Sequence, residues 1–126
     1  SYVIPTDEPG KTFVVAGGGE LVGELDQERI VRVGETSPEA LLEKARCVVG
    51  LMQDRIEGLE VSGDQLSQVE VYTAHPLQHL LEQVVLPGIP AAARLGVRWF
   101  YSRPPVVDIE FEMDMRGVRQ ELLVAV

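Results

Sequence analysis

Between Ser102 and Gly117 the chain reads SRPPVVDIEFEMDMRG, in which Val107, Ile109, Phe111, Met113 and Met115 alternate with Asp108, Glu110, Glu112 and Asp114. A period of two places the two sets on opposite sides of an extended strand, one apolar and one anionic. The apolar side needs a layer of helix or sheet against it, and the acids need water or a cation. The rest of the chain has to supply both.

The cover is predicted from two helical segments. Ser37 is an N-cap candidate, Pro38 suits the first helical position, and Glu39 favours the positive end of the dipole. Leu41, Ala45, Val48, Val49, Met52, Ile56 and Leu59 then recur at spacings of three and four, with Glu43, Lys44, Asp54 and Arg55 on the opposite, wet side. A shorter helix is predicted over PLQHLLEQVVLPG, burying Leu77, Leu80, Leu81, Val84 and Val85 and stopping at Pro87 and Gly88. Strands are predicted from Lys11 to Ala16, after a turn at Gly17–Gly19 again through Leu25, and over QERIVRVG to Gly34. Others follow over LSQVEVYTA, Val97–Tyr101, Val106–Met115 and Val118–Ala125, the last two joined around Arg116 and Gly117. The sum is an α+β domain, residues 1–126, with a single mixed sheet and two helices on one face. All four acids of the 107–115 strand are then expected on the uncovered face, paired with Arg98, Arg103, Arg116 and Arg119.

Charge narrows the function. The formal net charge is −9, so neither a nucleic-acid backbone nor an anionic membrane surface is an expected partner. No apolar run approaches the roughly 18 residues of a membrane span. The single Cys47 cannot form an intrachain disulfide, which fits a reducing compartment, the cytoplasm. Of the eleven basic residues only Lys11 and Lys44 are lysines; an arginine-rich, acid-rich chain has the side chain that grips carboxylates with two parallel hydrogen bonds.

Several chemistries find no support. Gly17–Gly19 follows a strand but leads into another strand, with no helix N-terminus to hold a phosphate. His75 and His79 have a zinc-like spacing but no third ligand, so His75 is read as a cap, His79 as partly exposed, and no metal is expected. The acid row lacks the loop geometry of a calcium site. No Ser or Cys nucleophile motif is present.

The stretches GETSPEALLEKARCVVGLMQDRIEGLEVSGDQLSQVEVYTA and PAAARLGVRWFYSRPPVVDIEFEMD resemble the RidA/YjgF superfamily of enamine and imine deaminases in element order and spacing, over roughly residues 11–115. The resemblance implies a chorismate-mutase-like fold assembled as a trimeric barrel, with sheets inward, helices outward and sites at subunit interfaces. It implies that Arg94 clamps the carboxylate of a 2-imino or 2-aminoenoic acid, and that Glu110 or Glu112 positions a water. Gly17 would bring backbone to the ligand, and Tyr2 would occupy the place of the family's N-terminal tyrosine. The expected reaction is hydrolysis of a small enamine or imine acid to a 2-oxo acid and ammonia, without a cofactor. Pro104 and Pro105, with Tyr101 and Arg103 beside them, fit a pocket for a larger or ring-derived acid, such as a chorismate-like or aminomuconate-like compound bound through Arg94, Arg98 and Arg103. A non-catalytic module that binds a small acid at the same place is the remaining alternative.

Overall fold

A computed structural model of the protein describes residues 4–23 and 29–125. Tyr2, the end of the second predicted strand and the start of the QERIVRVG strand, within residues 24–28, lie outside the described residues. Four strands form one sheet: β1 (Phe13–Gly19), β2 (Gln68–Tyr72), β3 (Arg98–Phe100) and β4 (Glu112–Gly117), in the spatial order β1-β4-β2-β3. β4 runs antiparallel to both neighbours, whereas β2 and β3 are parallel, so the sheet is mixed as expected.

Helix α1 (Pro38–Gly58) is the one the sequence announces: the Ser37 hydroxyl accepts a hydrogen bond from the Ala40 amide, and Pro38 opens the first turn. The second helical segment is interrupted. It runs as α2 (Gln78–Leu80), a π-helical turn (Leu81–Val85) and α3 (Leu86–Gly88), and a further short helix, α4 (Ala91–Leu95), occupies what reads as a plain connection. These helices cover one face of the sheet, where Val48, Met52, Leu80 and Val85 pack with Val15, Val69, Val71, Phe111, Met113 and Met115. No helix among the described residues is long and apolar enough to cross a membrane.

Four strand expectations are corrected. β1 continues through the glycines instead of turning. A bulge sets Ala16 and Gly17 opposite one residue of β4, and Arg55 from α1 donates to both carbonyls, at 2.5 and 3.1 Å. Arg55 is therefore committed to the sheet rather than standing on a wet face. The strand expected up to Gly34 is reduced to a Leu21–Ile30 bridge, after which the chain turns with Arg32 at φ 45°.

The acidic strand is shorter than its alternation. Residues 106–111 are irregular, following two prolines that remove amide donors, with Asp108 at φ 68°. The amides of Glu110 and Phe111 go to the Glu20 carboxylate. Finally, Arg116 and Gly117 belong to β4 rather than to a turn, and no strand forms over 118–125. Val118 donates to the Ser67 hydroxyl and Arg119 pairs with Glu8, which takes the chain away from the sheet.

The uncovered face carries Glu112, Asp114 and Arg116 from β4 and Gln68, Glu70 and Tyr72 from β2, with Phe100 stacked on Tyr72 at a centroid distance of 4.9 Å. Only two of the four acids expected there, Glu112 and Asp114, are on it. Glu110 is buried beyond the strand, and Asp108 sits half-buried in the irregular segment.

Candidate functional site

Beyond the end of β2, where Thr73 leaves the sheet, two segments are tied to one another. The Thr73 hydroxyl donates to the Glu110 carbonyl at 2.8 Å and accepts from the His75 amide at 3.2 Å, and the Trp99 indole donates to the Thr73 carbonyl at 2.9 Å. Just past β1, the Glu20 carboxylate accepts the Glu110 amide at 2.6 Å and the Phe111 amide at 3.0 Å. Its counter-charge is Lys44 of α1, 3.2 Å away, which also donates to the Val31 carbonyl at 2.9 Å.

Glu20 and Lys44 are both 0% exposed. A fully buried ion pair brings little net stability relative to apolar packing, because both ions lose their hydration. What this pair does is hold the backbone of Glu110 at one place. Lys44, expected on the wet side of the helix, is instead under it.

The Glu110 side chain faces two cations or potential cations. His75 Nε2 lies 2.7 Å from Oε2, and Arg103 Nη1 lies 3.9 Å from Oε1. The Arg103 side chain is 75% exposed, so that pair is a screened surface contact worth little in stability and is open to exchange for a ligand. Trp99 and Tyr101, in edge contact at 5.8 Å, and Val106 and Val107 are exposed on the segments that flank Arg103.

Glu112 occupies a neighbouring position. A Cβ at Gly17 would stand 2.5 Å from Glu112 Oε1, so the missing side chain makes the space that this carboxyl fills. Burial, reinforced by Asp114 and Glu20, pushes the Glu112 carboxyl above its ordinary value.

Of the predicted site residues, the chain thus brings Glu110 to Arg103 and Glu112 to Gly17. It does not bring Arg94 to them. Arg94 lies in α4, ahead of β3, rather than in the strand itself, and β3 is parallel to β2, so Arg94 is at the end where β2 starts and Glu110 at the end where it finishes. Five strand residues separate those ends, about 16 Å at the usual rise per residue. Arg94 is exposed and makes no hydrogen bond or ion pair among the described residues.

Four participants were not foreseen: His75, Glu20, Lys44 and Thr73. His75 drew notice only as half of a zinc-like pair, and His79 is turned away, with its Nε2 buried and unpartnered. Among the described residues no group of three or more His, Cys, Asp or Glu is arranged to hold a metal ion.

This arrangement of one mixed sheet under helices defines a Rid-type α+β fold. A Thermotoga maritima protein provisionally named an endoribonuclease superposes with a TM-score of 0.59 at 16% identity, covering 90% of this chain and 84% of that one. The Rid-family protein YyfB of Yersinia pestis superposes with a TM-score of 0.57 at 13% identity, covering 86% and 78%.

Within that class the sequence is more specific: residues 1–122 match the family model for 2-aminomuconate deaminase CnbZ, and the chain belongs to that family. It is 36% identical over 126 residues to the 2-amino-5-chloromuconate deaminase of Comamonas testosteroni, which covers 96% of this chain and 49% of the relative. The chain therefore spans about half the length of that protein.

Proposed function

We propose that the protein deaminates an enamine or imine carboxylic acid of the aminomuconate type, giving a 2-oxo acid and ammonia. The observation that carries this reading is the Glu110 carboxylate, with its backbone fixed by Glu20, one oxygen 2.7 Å from His75 and the other 3.9 Å from Arg103. Family membership over residues 1–122 supports the choice of substrate class.

The chemistry asks for little. An imine carbon already accepts water, so a site accelerates the step by holding the acid, excluding other orientations and placing one water within hydrogen-bond reach. Glu110 Oε1 orients that water, and Arg103 binds a substrate carboxylate by exchanging its long contact with Glu110 for a charge-assisted one. Trp99 and Tyr101 offer flat apolar surface to a conjugated chain. No cofactor enters this reaction.

The site is completed by oligomerisation. Arg94 is on the far end of the sheet from Glu110, and the uncovered sheet face, with Val14 exposed on it, gives copies of the chain a surface on which to associate. In a homotrimer, Arg94 of a neighbouring copy would reach the Glu110 site and take a second carboxylate. A reducing, cytoplasmic setting fits the free, half-buried Cys47.

The test follows ammonia and 2-oxo acid release from freshly generated 2-iminopropionate, 2-iminobutyrate and an aminomuconate-type enamine. Wild type is expected to outpace buffer on at least the last. Arg103→Ala is expected to raise KM about tenfold and Arg94→Ala to lower kcat/KM by about 10- to 100-fold, as for loss of a hydrogen bond to a charged group, with the mass of the assembly unchanged. If Arg94→Ala dissociates the assembly instead, Arg94 only joins subunits.

A further inference from the structure

Resting on the deaminase reading, we infer that His75 moves the protons of the reaction through its Nδ1 atom. Nε2 stands 2.7 Å from Glu110 Oε2. An ionised carboxylate only accepts hydrogen bonds, so in the neutral ring Nε2 carries the hydrogen and Nδ1 the lone pair. That tautomer follows from the hydrogen-bond pattern.

Nδ1 has no hydrogen-bond partner among the described residues and is not among the buried unsatisfied atoms. The His75 side chain is 18% exposed against 10% for Glu110, so the imidazole is the more open member of the pair. His75 is also held at its backbone, through its amide to Thr73, and Thr73 in turn holds the Glu110 carbonyl. The two backbones are thus anchored to one hydroxyl, and the contact of Nε2 with Glu110 Oε2 turns Nδ1 away from that carboxylate.

Enamine hydrolysis is a sequence of short proton transfers that a single base can carry. The imidazolium gives its Nδ1 proton to the enamine β-carbon; the C=C electron pair forms the new C–H bond while the nitrogen lone pair forms C=N. Water oriented by Glu110 Oε1 adds to the iminium carbon, and its proton returns through one bridging water to Nδ1, which faces away from that carboxylate. The same proton passes to the carbinolamine nitrogen, the C–N bond breaks with its electron pair leaving on ammonia, and the hydroxyl proton goes to Nδ1 as C=O forms. Two protons leave the ring and two return, so the net reaction is enamine plus water to 2-oxo acid plus ammonia, with no oxidant or cofactor. Glu110 stabilises the imidazolium formed in each cycle.

The test compares wild type, His75→Gln and His75→Ala on the aminomuconate-type enamine. Glutamine keeps an N–H donor toward Glu110 but cannot carry a proton. His75→Gln is expected to lower kcat about 100-fold, the usual scale of general acid–base catalysis, with KM within about twofold. Imidazole added to His75→Ala is expected to restore part of the rate, an effect that a purely structural histidine would not show. A His75→Gln protein turning over at the wild-type rate, or a slow His75→Ala indifferent to imidazole, overturns the inference. A wild type no faster than buffer on every enamine removes the deaminase reading itself, which keeps the two failures separate.

Discussion

Asp114 and Glu110, only a few residues apart on the same stretch of chain, sit in surroundings built on opposite principles. On the uncovered sheet face, Glu70, Asp114, Tyr72 and Arg116 are bonded to one another, although Asp114 Oδ1 and Arg116 Nε are buried without a hydrogen-bond partner. The Tyr72 hydroxyl is 2.9 Å from Glu70 Oε2 and 3.0 Å from Asp114 Oδ2, and Arg116 is 2.8 Å from Glu70 and 3.5 Å from Asp114. A phenol has one proton to give, so it can donate to only one of the two acids at a time, and the Arg116 charge offsets their repulsion.

Burial pushes the Asp114 carboxyl up. Burial also acts on Glu70 but is outweighed by hydrogen bonds from Tyr72 and Asp114 and by the Arg116 charge, so Glu70 falls below the usual range. Asp114 is therefore the member of the pair that takes up a proton more readily, and Glu70 the one that holds its charge more firmly.

At the end of the sheet, by contrast, Glu110 is held rigidly by its backbone while its side chain faces a histidine and a distant, exposed arginine. The first group turns most of its polar atoms on itself; the second has an exposed arginine at long range that a ligand can take. This difference explains how one alternating strand can serve both the sheet and a site.

The contrast is broken most severely by Glu20→Ala. Lys44 is then left buried without its counter-charge and the Glu110 and Phe111 amides lose their acceptor, so about 3–5 kcal/mol of stability should be lost in denaturant titrations, the range for removing one partner of a buried pair. A loss under about 1 kcal/mol would mean that water replaces the pair.

A smaller effect should appear on the sheet face as a pH dependence. A carboxyl whose pKa is raised by folding binds its proton more tightly folded than unfolded, so its contribution to stability falls as pH climbs from about 4, the ordinary carboxylate value, through the raised one. Glu70, being lowered, acts in the opposite sense. Asp114→Asn removes the falling part, so the stability of the variant relative to wild type should rise above about pH 4 and then level off; a difference that stays flat with pH would show that Asp114 holds no extra proton.

The mildest change is Gly17→Ala. Its methyl group meets Glu112 Oε1 at 2.5 Å, the far end of a flexible side chain, so a loss of turnover of a fewfold with little change in stability is expected. Unchanged turnover would place Gly17 and Glu112 outside the site.

Much of the fold was legible because its signals are local. Ser37, Pro38 and the apolar spacing of α1 act within a few turns, and the alternation of Glu112–Met115 needs only the period of a strand. What was hidden depends on partners far along the chain. The amides of Glu110 and Phe111 are taken by Glu20, some 90 residues away, which stops β4 short of its apparent pattern. Lys44 occupies a position that reads as solvent-facing, and its burial is explained by the Glu20 carboxylate and the Val31 carbonyl, both distant in sequence. His75 looked like a cap because its true partner, Glu110, lies 35 residues on. Glu110 was named from the family resemblance and Arg103 from charge pairing and from the Pro104–Pro105 loop beside it, and their proximity came from the irregular 101–111 segment, whose path no periodicity encodes.

The most direct test of the account is the rate of ammonia release from an aminomuconate-type enamine by wild type and by Glu110→Gln, each checked for fold and assembly mass. The account predicts that wild type exceeds the buffer rate and that the variant loses at least about 100-fold in kcat. A Glu110→Gln protein as fast as wild type would contradict it.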